Sequence, residues 1–290
     1  MKQAKEAVSE AYATGERPVV QAINMYNDVG KARNLISERL QEWYSIYAPE
    51  LRLENPAVYA KIVSLAGKDT KNVSDSALAE IFGSNKQEIE KAKGALMSGG
   101  RSPETKEYEN IKRVADSELA LINIESELDG YLKDAVPKVM PNIAYLVDYK
   151  IAAELLAKAG SLNKLGYMPA STIQLLGAEK ALFRHMKFGS KSPKYGVLFK
   201  LKEIAVADRS ERGKIARIYA TKISIAARAD AFSKRFIGNE LKESLMKGLE
   251  EIRGRRAIGK EKVHVQEPGR DNNWKNRPRK GQATDRRRHP

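Results

Sequence analysis

The sequence predicts an all-α protein: a long antiparallel coiled-coil hairpin with a small helical tip, then a compact helical domain and a disordered basic tail. Three observations predict it. Apolar residues recur mostly three or four apart over two long segments, Pro18 to Tyr47 and Tyr108 to Val139, a spacing that suits a coiled-coil seam. Between them, Pro49 to Gly100 carries shorter helical pieces punctuated by Asn55-Pro56, Gly67, Gly83 and Ser98-Gly99-Gly100. Beyond Pro137 and Pro141, which are read as ending the second long helix, shorter helical periods continue to about residue 253.

Taken in order, residues 1–14 look helical and Gly15-Glu-Arg-Pro18 restarts the chain, so residues 1–17 read as a linker or remnant. The hairpin with its tip occupies 18–140, the compact domain 141–253 and the tail 254–290. The tail is rich in Arg, Lys, Gly, Pro and Asn, and too poor in apolar residues to order itself. The hairpin offers more aromatic surface than two helices need. Trp43, Tyr44 and Tyr131 could serve a second copy of the chain, or could pack against the tip or the compact domain.

Within the compact domain, Pro169 precedes Ser171-x-x-Gln174, a capping-box spacing that predicts a helix start. Ile173, Leu176, Leu182, Phe183 and Met186 are read as the core face of that helix, with Lys180, Arg184 and Lys187 as a basic stripe elsewhere on it. Gly177, one turn before Lys180, would admit a close backbone neighbour. A basic stripe on one helix is ordinarily a solvated face. A second helix, from Arg212 to Asp230, repeats it. There Ile215, Ile218, Ile225, Ala229 and Phe232 form an apolar stripe, and Lys214, Arg217, Thr221, Ser224 and Arg228 form another of cations and hydroxyls beside alanines. Such a face suits a phosphate backbone: cations neutralise it, hydroxyls donate to it, and small residues leave room. Ser192-Pro-Lys-Tyr-Gly196 reads as a loop presenting Lys194, and Val197-Leu-Phe199 as a short extended or buried piece.

Charge agrees. The 290 residues hold 52 Lys and Arg against 37 Asp and Glu, a net +15. The tail has 12 basic and 4 acidic residues, +8 of that total, which leaves +7 on residues 1–253. The body is therefore basic without its tail, as a polyanion binder would be. Membrane attachment fits poorly. The most apolar long window, Ile143 to Ala159, is broken by Asp148, Lys150 and Glu154. No signal peptide is visible at the N-terminus.

The residues show no catalytic constellation. There is no cysteine, and the histidines, His185, His264 and His289, have no metal-ligand spacing. Gly177-Ala-Glu-Lys180 lacks the spacing of a phosphate-binding loop. The chain is read as a non-enzyme without metal or cofactor.

Gly160-Ser-Leu, Met168-Pro-Ala-Ser, Gly177-Ala-Glu-Lys-Ala-Leu-Phe-Arg184 and Ile225-Ala-Ala-Arg-Ala-Asp230 resemble the Nop domain. Arg39-Leu-Gln-Glu-Trp-Tyr44, followed by Pro49-Glu-Leu51, resembles the entry into that family's coiled coil. The resemblance runs over roughly residues 18–250, and is to the archaeal core scaffold of box C/D small ribonucleoproteins, the counterpart of eukaryotic nucleolar Nop proteins. It implies a scaffold for RNA-guided ribose 2′-O-methylation, cytoplasmic in an archaeon and nucleolar in a eukaryote. The implied partners are guide and substrate RNA, a small kink-turn-binding protein, and a second copy through the coiled coil. Fibrillarin, which carries the S-adenosylmethionine, is implied for a full-length form only, because the family's N-terminal fibrillarin-binding domain is not matched. By the same token Lys194, Lys214, Arg217, Thr221, Ser224 and Arg228, with Lys180 and Arg184, are the implied RNA contacts. Trp43, Tyr44, Tyr131, Ile218 and Ala229 are assigned to protein contacts or core. Two alternatives stay open: a spliceosomal scaffold sharing the Nop domain, and a structural coiled-coil protein whose charge is incidental.

Overall fold

The computed structural model describes residues 15–66, 73–83, 85–98 and 100–263, with side chains to residue 254. The described residues are helices and connecting turns, without a strand. The all-α prediction therefore holds. The expected N-terminal helix over 1–14 lies outside the described residues.

Two long helices, α1 (Glu16–Tyr44) and α5 (Thr105–Val139), run antiparallel. Three short helices, α2 (Pro56–Leu65), α3 (Asp75–Phe82) and α4 (Lys86–Met97), form the tip between them. The predicted punctuation acts as local chemistry. The Asn55 side chain accepts from Ala57 N at 3.0 Å and caps α2, with Pro56 in its first turn, and Gly83, at φ 62°, closes α3. Pro137 does not end α5 but lies within its last turn; the break comes at Met140, before Pro141 opens the next helix.

The hairpin has apolar packing at its two ends and polar chemistry in its middle. At the tip, Leu40, Tyr44, Tyr47, Tyr59, Ile62, Leu78, Leu96 and Ile111 make one core. At the other end, Val19, Ile23, Leu132 and Val136 join the core of the compact domain. Between them Arg33 Nε bonds Glu125 Oε2 at 2.7 Å, and Glu118 is enclosed near Ser37.

The compact domain is built from α6 (Pro141–Leu146), α7 (Tyr149–Ala159), α8 (Leu162–Tyr167), α9 (Ala170–Leu175), α10 (Glu179–Phe188), a 3-10 turn at Val197–Lys200, α11 (Lys202–Ala205), α12 (Arg212–Arg228), a π turn at Ala229–Ser233 and α13 (Gly238–Val263). Helix α12 is central and packs against α6, α8, α9 and α13. Polar ties hold the hairpin to this domain. Lys150 Nζ bridges Asp129 Oδ1 of α5 at 2.6 Å and donates to the Tyr26 hydroxyl of α1 at 2.9 Å, while Glu16 accepts the Leu162 amide at 2.9 Å. Helix α13 continues to Val263, so the segment expected to be disordered from residue 254 begins as helix. Its Arg, Ala, Ile, Lys and Glu residues are helix formers and no proline intervenes before Pro268. The rest of the tail, with His264 and His289, lies outside the described residues. No helix of the described residues is long and apolar enough to cross a membrane.

Candidate nucleic-acid interface

Helix α12 is anchored at its start by Arg212, whose guanidinium donates to the Ala207 carbonyl at 2.8 Å and the Ala205 carbonyl at 3.0 Å and lies over the Phe199 ring. Its inner face is Ala216, Tyr219, Ala220, Ile223, Ala226 and Ala227, all buried. These alanines let the neighbouring helices approach. Contrary to the expectation from sequence, they do not clear space for a phosphate chain, because they are buried.

The outer face carries Lys214, Arg217, Thr221, Ile225, Arg228 and, beyond the helix, Phe232. Lys214, Arg217 and Arg228 form no ion pair with a carboxylate among the described residues. Three expectations change here. Ile225 and Phe232, read as core, are 39% and 48% exposed and lie in the same row as the cations. Ser224 shares the helical angle of Arg217, yet is only 4% exposed, because Met168 crosses it and accepts its hydroxyl proton at 3.3 Å. Thr221 is exposed, but its hydroxyl donates to the Arg217 carbonyl at 2.9 Å, so only its lone pairs face outward. Arg228 remains on the surface while its Nε reaches the Gly166 carbonyl at 3.4 Å.

Lys194 joins this row through tertiary structure. Gln174 Nε2 donates to the Lys194 carbonyl at 2.6 Å, Gly196 N to the Gln174 carbonyl at 3.0 Å and Val197 N to the Leu176 carbonyl at 2.7 Å. Gly196 is required, since a Cβ there would meet the Leu176 carbonyl oxygen at 1.8 Å. The stitched loop lays the Lys194 side chain beside Gly213, next to Lys214. Gln174 therefore holds a loop and does not close a capping box; the helix starts at Ala170, after Pro169.

The single helix predicted from Ser171 through Met186 is two. Gly177 adopts φ 86° and separates α9 from α10, and a Cβ there would sit 2.7 Å from Val197 Cγ2. Ile173 and Leu176 are buried as predicted, and Leu182 is half-buried. Phe183, Met186 and Phe188 are 65%, 76% and 71% exposed, so the face read as core points outward, next to Lys180 and Arg184. His185 bonds the Ser190 carbonyl across the Gly189 turn, a local tie.

Of the residues assigned to protein contacts, Trp43 and Tyr131 are 38% and 44% exposed, and Leu35 and Ile124 of the same two helices are exposed too. Tyr44 is not available: it is fully buried against Tyr47 and Tyr59, because the α1 period turns it towards the tip. Ala229 is buried, and Ile218 is half-buried against Gly248 of α13, so both belong to the core rather than to a partner surface. No group of three or more His, Cys, Asp or Glu side chains that could hold a metal ion occurs among the described residues.

Comparison with known proteins gives the family. Residues 25–251 match the family model described as "Nop: snoRNA binding domain, fibrillarin". The chain is 39% identical over 251 residues to an uncharacterised NOP5 family protein of Methanocaldococcus jannaschii, which covers 86% of this chain and 60% of that protein. It is 36% identical over 221 residues to nucleolar protein 58 of Schizosaccharomyces pombe, covering 75% of this chain and 43% of the relative. The chain thus spans about half the length of these relatives. Among solved structures, one titled as a fibrillarin/Nop5p complex superposes with a TM-score of 0.51 at 22% identity, over 86% of this chain and 74% of that one, which is a likeness of fold. With a family model covering most of its length and the family's motifs placed on α8 to α12, this chain belongs to the Nop family.

Proposed function

We propose that this chain is a non-catalytic scaffold of a box C/D guide ribonucleoprotein, which directs ribose 2′-O-methylation of RNA, and that α12 is its RNA-facing helix. One observation carries the RNA part: Lys214, Arg217 and Arg228 stand exposed and without carboxylate partners in one row, with Lys194 brought in beside them. Cations left free of carboxylates are available to displace counterions from a phosphate backbone. The family description as a snoRNA-binding domain and the nucleolar relatives support the box C/D assignment. The nearby apolar residues Ile225 and Phe232 suit a composite surface, part RNA and part a small kink-turn-binding protein. Exposed Leu35, Trp43, Ile124 and Tyr131 suit self-association through the hairpin. Methyl transfer, with its S-adenosylmethionine, belongs to fibrillarin, the partner of a full-length form, and not to this chain.

The test is a gel-shift titration of a box C/D kink-turn RNA with and without the small kink-turn-binding protein. A supershift that depends on that protein, and weakens on Arg217→Ala, supports the reading. Binding that ignores the partner and vanishes on deletion of residues 264–290 overturns it.

A further inference from the structure

Two aromatic rings stand where the basic row of α12 ends. Tyr167, the last residue of α8, is 77% exposed, and Phe232, in the π turn, is 48% exposed. Their centroids are 4.8 Å apart with the planes tilted by 54°, so the rings brace one another while Tyr167 keeps an open face. This seat is built into the backbone. A Cβ on Gly166 would lie 3.0 Å from both the Phe232 ring and the Ala231 Cβ, so glycine gives the Phe232 ring room to lie against this turn and a larger residue would push it outward. The π turn is closed by Lys234 N donating to the Ala229 carbonyl at 2.7 Å, with Lys234 at φ 55°, and turns of this kind concentrate at functional sites. Arg228 links the rings to the basic row through the Gly166 carbonyl, and Lys164 stands exposed on the same helix as Tyr167.

We propose that Tyr167, braced by Phe232, is a stacking platform for one unpaired nucleobase of the RNA whose backbone follows α12. This rests on the RNA reading of α12 given above. An exposed ring pair in line with free cations matches the two faces of a single-stranded nucleotide, an anionic phosphate and a flat apolar base. An apolar loop of a protein partner would cover the rings without needing the cations in register with them. The platform therefore adds a preference for unpaired RNA to a row that, by charge alone, binds any phosphate backbone.

The test uses the full chain and two kink-turn RNA probes of equal length, each already carrying the small kink-turn-binding protein: one whose flanking stem is fully paired, and one in which it carries an unpaired loop. The wild type is expected to bind the looped probe roughly five- to tenfold more tightly. Tyr167→Leu abolishes that preference and keeps the salt dependence, Tyr167→Trp preserves the preference, and Arg217→Ala weakens binding to both probes alike. Tyr167 is exposed enough that the leucine variant should fold, which circular dichroism checks. Equal wild-type affinity for the two probes, or a preference that survives Tyr167→Leu, overturns the platform and leaves a protein as its occupant. If Arg217→Ala changes neither affinity nor salt slope, the RNA reading of α12 is what has failed.

Discussion

Asp230 and Asn142, 88 residues apart in the chain, meet in the interior of the compact domain and fasten its two ends. The Asp230 carboxylate accepts Asn142 N at 3.0 Å, Asn142 Nδ2 at 2.7 Å and Ile143 N at 3.0 Å. It thereby satisfies amides at the start of α6. Asn142 in turn donates to the Arg235 carbonyl at 2.8 Å and accepts Ile237 N at 2.6 Å. Burial pushes the Asp230 carboxyl up from its ordinary value, against the bonds donated by Asn142 and Ile143 and the nearby Lys234 charge. Asp230→Ala strands three donors at once, and at about 1–3 kcal/mol for each buried unsatisfied group the domain should lose about 3 kcal/mol or more. A urea denaturation midpoint within error of wild type would show that this junction does not hold the fold.

Ser224 and Arg217 separate structure from recognition on one helix. Ser224→Ala should cost about 1 kcal/mol in thermal unfolding, through the lost bond to Met168, and leave the salt slope of RNA binding alone. Arg217→Ala should do the reverse, leaving the melting temperature near wild type and reducing the slope by about 0.9 for one lost phosphate contact. Salt titrations of the two variants together decide this; equal slopes would remove Arg217 from the phosphates.

Glu118 introduces a pH dependence into the hairpin. It is fully enclosed between α1 and α5, and among the described residues its carboxylate has the Ser37 hydroxyl nearby but no hydrogen bond of good geometry. Burial raises its pKa; the Ser37 hydroxyl and the Arg33 charge oppose that rise, and Tyr59 of α2 faces it from the tip. The folded chain thus holds this proton to higher pH than the unfolded chain does, so stability falls as pH climbs above the ordinary carboxylate range. Glu118→Gln should remove that fall, gaining about 1–3 kcal/mol over wild type near neutral pH and little near pH 4. Parallel melting curves for the two proteins across this range would contradict the assignment.

Trp43 and Tyr44 are neighbours with opposite roles. Tyr44→Ala empties the tip core and should cost about 3–5 kcal/mol, as large aromatic truncations do. Tyr44→Phe should be neutral or slightly stabilising, because the buried hydroxyl has no hydrogen-bond partner among the described residues. Trp43→Ala should leave stability close to wild type and weaken self-association of the hairpin. Sedimentation velocity alongside thermal unfolding reads both; a Trp43→Ala chain that self-associates like wild type would move the contact elsewhere on the hairpin.

The sequence by itself determined the all-α class, the two long helices and the family, because these rest on local information. Apolar spacing sets a helix period, Asn55-Pro56 and Gly83 set boundaries, and Met168-Pro-Ala-Ser and Gly177-Ala-Glu-Lys carry the family pattern. The cationic members of the α12 row, Lys214, Arg217 and Arg228, were legible for the same reason. Only the tertiary structure decided which side chains remain on the surface. Periodicity gives an angle around a helix axis but not what crosses it, so it groups Ser224 with Arg217, whereas Met168 covers Ser224 in the fold. It likewise gives Ile225, Phe232, Phe183 and Met186 to the core, although each keeps more than a third of its surface exposed among the described residues. Tyr167 left no sequence signal, since its meeting with Phe232 depends on Gly166 admitting a ring from 66 residues further along the chain. The sequence shows Lys194 only within an isolated loop, and its place beside Lys214 is fixed by that loop's hydrogen bonds to Gln174 and Leu176, which no spacing rule contains.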